Sequence, residues 1–427
     1  MLYSISGFIL LSSLILSLLS AITSWQTLII PASLFSWIAA LLLLPYTTLA
    51  RAKVSIILFA IGLALFGIAW ISGFQIDLIR AFSINQIMLT LLMSVNYLKL
   101  VALPENEDKK SLPKGKISFI TTFFGVHAFG SVINLSAILL AADRLFRHSS
   151  LKHIQYTMLT RAFATDALWS PFFVAFAAAI IYAPQASFTT ILVGGSALVL
   201  IAFFITYYEF RNQMDDFVGY PISLQSLIVP VILALCVWLS HLIWPEIRVI
   251  VFVSAFSFIL TLLFIPLRYQ KESFIKKFIT HTKTELPKLK TELTLFLAAG
   301  FFGASVSTLL EGFHLDFPVQ TFTPFVASII LFIMVGISLV GIHPIISIAV
   351  IGGWLGPMEL NQTLLAMTFL ISWSLSICTS PVSGLNLALA SRYNIAPMTI
   401  FKANYKYAIK LYFVSILILY GVDKISS

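Results

Sequence analysis

Charge is what this sequence has least of. Only 10% of its 427 residues are Asp, Glu, Lys or Arg, against about 25% in an ordinary soluble domain. So few charges cannot cover a water-facing surface, which excludes a soluble enzyme, a disordered chain and a nucleic-acid reader. Cysteine is scarce too. Cys236 and Cys378 each lie inside an apolar run, which argues against a disulfide framework and reads them as small buried hydrophobes. No GxxxxGK followed by Ser or Thr occurs, and no HExxH or GxSxG. Direct drive by ATP and those hydrolytic chemistries are therefore not expected.

What is present is apolar: 59% of the chain, with a mean hydropathy of +0.99. An all-α polytopic membrane protein is the class that fits. The net charge of +9, from 26 Lys and Arg against 17 Asp and Glu, then belongs to cytoplasmic loops. The basic residues are scattered through short connections and form no nucleic-acid face.

A span needs about 20 apolar residues. Runs of that kind lie near 2–22, 27–48, 54–74, 83–104, 188–208, 225–244, 247–267, 293–310 and 399–420. The first has no Lys or Arg before it and no small-residue cleavage site, and reads as a retained span. Three further apolar stretches, 117–144, 151–184 and 320–391, do not behave as simple spans.

Charge orients the chain. Arg268, Lys271, Lys276, Lys277, Lys283, Lys288 and Lys290 face only Glu272 and Glu285, so 268–290 is cytoplasmic. Arg51 and Lys53 mark another inside loop. Glu311 and Asp316, with no basic neighbour, lie outside. Lys109, Lys110, Lys114 and Lys116 precede 117–144, and Arg144, Arg147 and Lys152 follow it. Basic residues at both ends make it a re-entrant hairpin, with its break near Gly125–Gly130. One long tilted span is the alternative. The second half mirrors this, with 320–357 leaving and returning on the outside and 361–391 crossing inward to Arg392 and Lys402. The total is about eleven transmembrane helices and two re-entrant hairpins, in a bacterial inner (plasma) membrane, N-terminus in the cytoplasm and C-terminus outside.

An internal repeat supports the mirror. GVHAFGS from Gly125 matches GIHPIIS from Gly341, which sets His127 on His343 and Ser131 on Ser347. Further on, Ser170-Pro171 matches Ser380-Pro381. The offsets, 216 and 210 positions, differ by six. The expected organisation is a scaffold helix at 1–24, a first repeat at 25–213 and a second at 214–427, with opposite topology. The first repeat holds the hairpin 117–144 and a broken helix 151–184. The second holds an amphipathic connector 268–290, the hairpin 320–357 and a broken helix 361–391. Inverted repeats with discontinuous helices are a signature of secondary transporters.

One scaffold span followed by two inverted five-span units, each with a hairpin and then a broken helix, resembles the ion-transporter superfamily. Within it the divalent anion/sodium symporters are the nearest architecture, and the arsenite-permease branch gives a second resemblance, to oxyanion or metalloid efflux. Those symporters carry Ser-Asn-Thr at the hairpin tips and in the broken helices. None of the four places has that triplet here; the broken helices carry Trp169-Ser170-Pro171 and Thr379-Ser380-Pro381 instead. Dicarboxylate specificity and sodium coupling are therefore not carried over. The resemblance implies elevator-type movement, a homodimer and a horizontal connecting helix at 268–290.

The candidate site residues follow from the breaks. Proline removes a helical hydrogen bond and frees a carbonyl. At Pro171 and Pro381 the hydroxyls of Ser170, Thr379, Ser380 and Ser383 can then join exposed backbone groups in holding a solute or ion, with Asn386 within reach. A structural kink is the plainer reading of either proline alone. Asp166, a carboxylate within an apolar stretch, takes a proton or binds a cation, or else partners Arg161. His127 and His343, with Ser131 and Ser347, flank the expected hairpin breaks, where an imidazole can titrate, bind an oxyanion or satisfy loose backbone. Two histidines without a cysteine or carboxylate cluster fall short of a metal site, and no cofactor is expected. Asn134, Asn386, Gly384, Gly130, Gly352 and Gly353 let helices approach closely. Trp169 and Trp373 read as packing residues. Phe274, Ile275, Phe278 and Ile279, at helical spacing among lysines, describe an interfacial helix that meets membrane lipid.

The expected function is secondary active transport of a small anionic solute, coupled to a proton or sodium gradient. An intramembrane enzyme acting on a lipid-linked substrate would want a polar cluster at one membrane face, and Glu246, Glu311, His314, Asp316 and Glu359 are instead spread over separate connections.

Overall fold

The computed structural model describes residues 2–23, 25–102, 111–221, 228–269, 271–356 and 358–426. Lys109 and Lys110, used above to orient the first hairpin, lie outside the described residues. Among those residues every regular element is helical, apart from one isolated antiparallel bridge between Lys114 and Val218. The helices are α1 (Leu2–Ile22), α2 (Ile29–Leu43), α3 (Leu49–Ile71), α4 (Leu78–Ser83), α5 (Gln86–Ala102), α6 (Gly115–Ile133) and α7 (Leu135–Phe146). They continue as α8 (His153–Ala164), α9 (Val174–Tyr182), α10 (Phe188–Phe210), α11 (Ile228–Ile243), α12 (Val249–Arg268), α13 (Lys271–Thr284) and α14 (Lys290–Gly312). The last five are α15 (Pro324–Leu339), α16 (Pro344–Leu355), α17 (Gln362–Thr379), α18 (Gly384–Tyr393) and α19 (Pro397–Ser426).

Nine helical segments among the described residues are long and apolar enough to cross a membrane, which makes this an integral, multi-pass membrane protein. All-helical structure is what a bilayer demands, because a helix satisfies its own backbone polar groups. Two expected spans fall outside the nine. The run 225–244 is the 16-residue α11, and 399–420 lies in the 30-residue α19, which carries Lys402, Lys406, Lys410 and Lys424.

The helices form two compact units. The first comprises Met1–Val101, Leu233–Gln320 and Ile345–Met358. Its apolar centre is Phe301 of α14, with rings of Phe59, Phe66 and Phe82 at 4.7–5.1 Å and Trp37 at 6.2 Å. Gly62 leaves room for Phe301, since a Cβ there would lie 2.8 Å from its ring. Polar side chains tie the same unit together. Ser13 bonds Ser36 at 2.8 Å, Ser36 donates to Gln86 Oε1 at 2.9 Å, and Gln86 donates back to Ser13 at 2.9 Å. In hydrocarbon such small polar residues let helices approach and bond across. Helix α13 packs on α1 at Gly7. It turns Phe278 inward onto Tyr97 at 5.1 Å and leaves Ile275 and Ile279 exposed.

The second unit comprises Ala102–Ile232, Thr321–Pro344 and Glu359–Ser427. Helix α17 is buried from Thr363 to Thr379 and packs against α8, α9, α10, α15 and α19. Three of its hydroxyls are spent on its own backbone: Thr368, Ser372 and Thr379 donate to carbonyls three or four residues earlier, the usual way an apolar environment accommodates them.

Helices α6 and α7 pack on each other, and the break between them differs from expectation. The helix runs uninterrupted through Gly125–Gly130 and ends at Asn134, which joins the two helices at φ 54°. With ψ −144° this is a conformation that residues other than glycine rarely adopt. The two outer ends lie side by side: Ser111, Leu112 and Lys114 before α6 line one 390 Å³ cavity with Arg144, Arg147 and His148 at the end of α7. The two arms of 320–357 belong to different units, α15 to the second and α16 to the first.

Candidate functional site

Helix α8 continues through a tight turn, Thr165–Leu168, and stops; α9 starts at Val174. Ser170-Pro171 occupies the gap, where proline cannot supply the amide a continuous helix would need. Three hydrogen bonds define the break. Ser170 N donates to Asp166 O at 3.1 Å, Phe173 N donates to Ser170 O at 3.1 Å, and Ser170 Oγ donates to Ser131 O of α6 at 2.7 Å.

The second break repeats the pattern. Helix α17 ends at Thr379 and α18 begins at Gly384. Ser380 N donates to Ser376 O at 2.8 Å, Ser383 N donates to Ser380 O at 3.0 Å, and Ser380 Oγ donates to Ser338 O of α15 at 2.6 Å. The partners within the broken helices all correspond at the same 210-position offset. The counterpart of Ser131 in this pattern is Ser338, and not Ser347, which sits in α16 of the other unit. Ser383 caps α18 through Asn386 N at 3.2 Å and donates to Ile377 O at 2.9 Å. Asn386 Nδ2 donates to Ser380 O at 2.9 Å and to Cys378 O at 3.3 Å. Asn386 Oδ1 and Ser376 Oγ are buried without a hydrogen-bond partner among the described residues.

At the first break a second set of contacts surrounds Asp166, which is fully buried. His127 of α6 places Nδ1 2.8 Å from Asp166 Oδ1. The same nitrogen lies 3.1 Å from Thr165 Oγ1 and 3.2 Å from Ala162 O. The indole of Trp169 donates to Nε2 of His127 at 3.0 Å. Trp169 therefore has a polar partner that a packing role did not anticipate. Gly130 is small for a local reason: a Cβ there would collide with Asp166 Oδ2. Gly195 of α10 likewise makes room for the carbonyl of Leu168. Gly384 has no such role, since a Cβ there would meet nothing within 4 Å.

Arg161 is not the partner of Asp166. Its guanidinium, with no exposed surface, makes a bidentate pair with Glu209 at 2.8 and 3.1 Å. It also donates to Asn404 Oδ1 at 3.0 Å and Ala403 O at 2.9 Å, and lies over the Tyr407 ring at 4.4 Å. A buried arginine is tolerable only with its charge and donors matched in this way. It locks α8, α10 and α19 together.

The structure thus gathers His127, Ser131, Asp166, Ser170 and Pro171 at one break, and Thr379, Ser380, Pro381, Ser383 and Asn386 at the other. Helix α17 packs along the Thr165–Leu168 turn. His343 stands between α15 and α16, after Gly341 at φ 104°, with its ring edge-on to Trp373 at 5.2 Å. His127 meets Trp169 at 5.9 Å, so each half sets a histidine against a tryptophan of its broken helix. Among the described residues no group of three or more His, Cys, Asp or Glu side chains is placed to hold a metal ion. Compared with known proteins, the chain matches no family model and no curated sequence.

Proposed function

We propose that the protein is a secondary active transporter that moves a small anionic solute, coupled to a proton or sodium gradient. The observation that carries this is the pair of helix breaks in one unit, whose internal hydrogen bonds correspond at an offset of 210 positions and whose serine hydroxyls both donate to an earlier helix. One break is common in membrane helices; two related breaks leave interrupted backbone twice within an apolar chain, which membranes tolerate where it is buried in protein or lines a cavity. Each break also starts a new helix, whose N-terminus bears about half a positive charge suited to an anion.

The topology belongs to the same reading. The side-by-side ends of α6 and α7, both basic, support a hairpin that enters and leaves from the cytoplasm. The two compact units, one holding both breaks, suit the division of a scaffold from a moving body that resemblance to the ion-transporter superfamily implies. On that basis the chain forms inverted repeats in a bacterial inner membrane, N-terminus inside.

The test is flux. Purified protein in proteoliposomes is offered labelled phosphate, sulfate, succinate and arsenite, with proton and sodium gradients imposed separately. Uptake of one anion above protein-free vesicles, lost in a Ser170→Ala/Ser380→Ala double variant, is the expected result. No movement of any solute under either gradient or in exchange overturns the reading.

A further inference from the structure

We propose that Asp166 is the proton-carrying group of this transporter, and that Trp169 fixes which ring nitrogen of His127 faces it. The proposal rests on the transport reading above and adds the identity of the coupling ion.

The turn that carries Asp166 packs against α6, α8, α9, α10 and α17. These elements bring a limited set of titratable or charged groups. On α6 they are His127 and, at its start, Lys116, which pairs with Asp215 at 3.7 Å. On α8 they are His153, Tyr156 and Arg161. His153 packs on Tyr156 and Phe210, and Arg161 is committed to Glu209. Helix α9 brings Tyr182, α10 brings Tyr207, Tyr208 and Glu209, and α17 brings Cys378. His127 is the one that reaches the carboxyl group. Among the described residues no lysine or arginine is paired with it.

The tautomer of His127 follows from Trp169. An indole N–H can only donate, so its bond to Nε2 makes that nitrogen an acceptor. The imidazole proton then sits on Nδ1, beside Asp166 Oδ1, Thr165 Oγ1 and Ala162 O. The ring therefore presents its Nδ1–H to the carboxyl group. Oδ2 has no hydrogen-bond partner among the described residues and lies against Gly130. Oδ1, although 2.8 Å from His127 Nδ1, is likewise buried without a hydrogen-bond partner among the described residues, so the whole carboxyl group is under-satisfied.

One proton on Oδ2 forms a neutral acid and removes the charge; its release to water restores the carboxylate. A hard cation would instead want several oxygen ligands. Among the described residues no group of three or more His, Cys, Asp or Glu side chains is placed to supply them. The link to the solute site is short. His127 and Ser131 lie one turn apart on α6, and they hold Asp166 and Ser170, one turn apart on the broken helix. Charging Asp166 therefore acts one turn away from the Ser170–Ser131 bond that shapes the first break.

Infrared difference spectroscopy on the protein in lipid vesicles tests the proton site without any solute. The probe is the carbonyl stretch of a protonated carboxylic acid, followed across pH in sodium-free buffer. The expected result is a titrating band that is missing from Asp166→Asn. Trp169→Phe should move the pH at which that band appears, because the indole no longer holds the Nδ1 side of His127 toward the carboxyl group. A band unchanged in Asp166→Asn, or no band in a protein that still elutes as a single folded species, overturns the proposal. If Asp166→Asn does not fold, an unmoved band in Trp169→Phe overturns it instead. Flux separates the two readings. Uptake driven by sodium alone, with Asp166→Asn as active as the parent, sinks the proton site and leaves the transporter standing. A titrating band in a protein that moves no solute does the reverse.

Discussion

The hydroxyl of Ser380 donates to the main-chain carbonyl of Ser338 at 2.6 Å, and Ser170 does the same to Ser131 at 2.7 Å. Each bond ties an interrupted helix to the helix two places before it in its own half of the chain. All four residues are nearly or fully buried, so removing a hydroxyl leaves a carbonyl without its partner. Such a loss costs about 1–3 kcal/mol. Ser170→Ala and Ser380→Ala should each lower the melting temperature and cut initial uptake several-fold. Replacement by threonine, which keeps the donor, should do so much less. Equal damage from alanine and threonine would assign the serines to packing and not to the hydrogen bond.

The Arg161–Glu209 pair makes an asymmetric prediction. Arg161 is fully buried, whereas the Glu209 side chain is 33% exposed. Glu209→Gln strands a buried guanidinium without its counter-charge, which typically costs about 3–5 kcal/mol. Arg161→Met strands a carboxylate that can still reach water, so its charge penalty is smaller. The Arg161→Met/Glu209→Gln double variant should therefore melt above Glu209→Gln alone, by fluorescence-monitored unfolding in detergent. A double variant no better than Glu209→Gln would show that the pair is not what holds α8, α10 and α19.

Much of this was legible in the sequence, and the limits have physical causes. Apolar length and loop charge mark helices because hydrocarbon admits little else. Pro171 and Pro381 announce interruptions because a missing amide is a local property. The hairpin break was placed at Gly125–Gly130 and lies at Asn134, because glycine in a helix is compatible with both a turn and a close contact. Gly130 turned out to serve the contact, with Asp166. Trp169 read as packing because an indole donor means nothing until its acceptor is known, and His127 lies 42 residues away. Ser338 carries no motif; its carbonyl, not its side chain, is what Ser380 uses.

Asp143 near the end of α7 holds Arg392 of α18 through two bonds of 2.6 and 2.7 Å, and accepts a third from Tyr393 at 2.7 Å. Arg392 is 53% exposed, so water and salt screen the pair and its contribution is about 0–1 kcal/mol. Asp143→Asn should therefore change stability little, and less still at high salt. Because the pair joins the first hairpin to the second broken helix, its effect should be larger on the uptake rate than on melting. Exchanging the charges, Asp143→Arg with Arg392→Asp, should return the rate toward that of the parent. A rate unaffected by Asp143→Asn would make the contact incidental.

The hairpin is the sharpest claim about topology. Leu112 precedes α6 and Ser149 follows α7, and the neighbouring residues at both ends line a common cavity. Cysteines introduced singly at Leu112 and Ser149 should therefore react from the same side with a membrane-impermeant maleimide. In inside-out vesicles both should label, and in intact cells neither. Cys236 and Cys378, the two native cysteines, would first be replaced by serine or alanine so that background labelling stays low. Labelling of the two positions from opposite sides would make 117–144 a crossing. The first unit of the repeat would then invert from residue 144 onward, and the breaks at Ser170 and Ser380 would no longer be related by opposite topology.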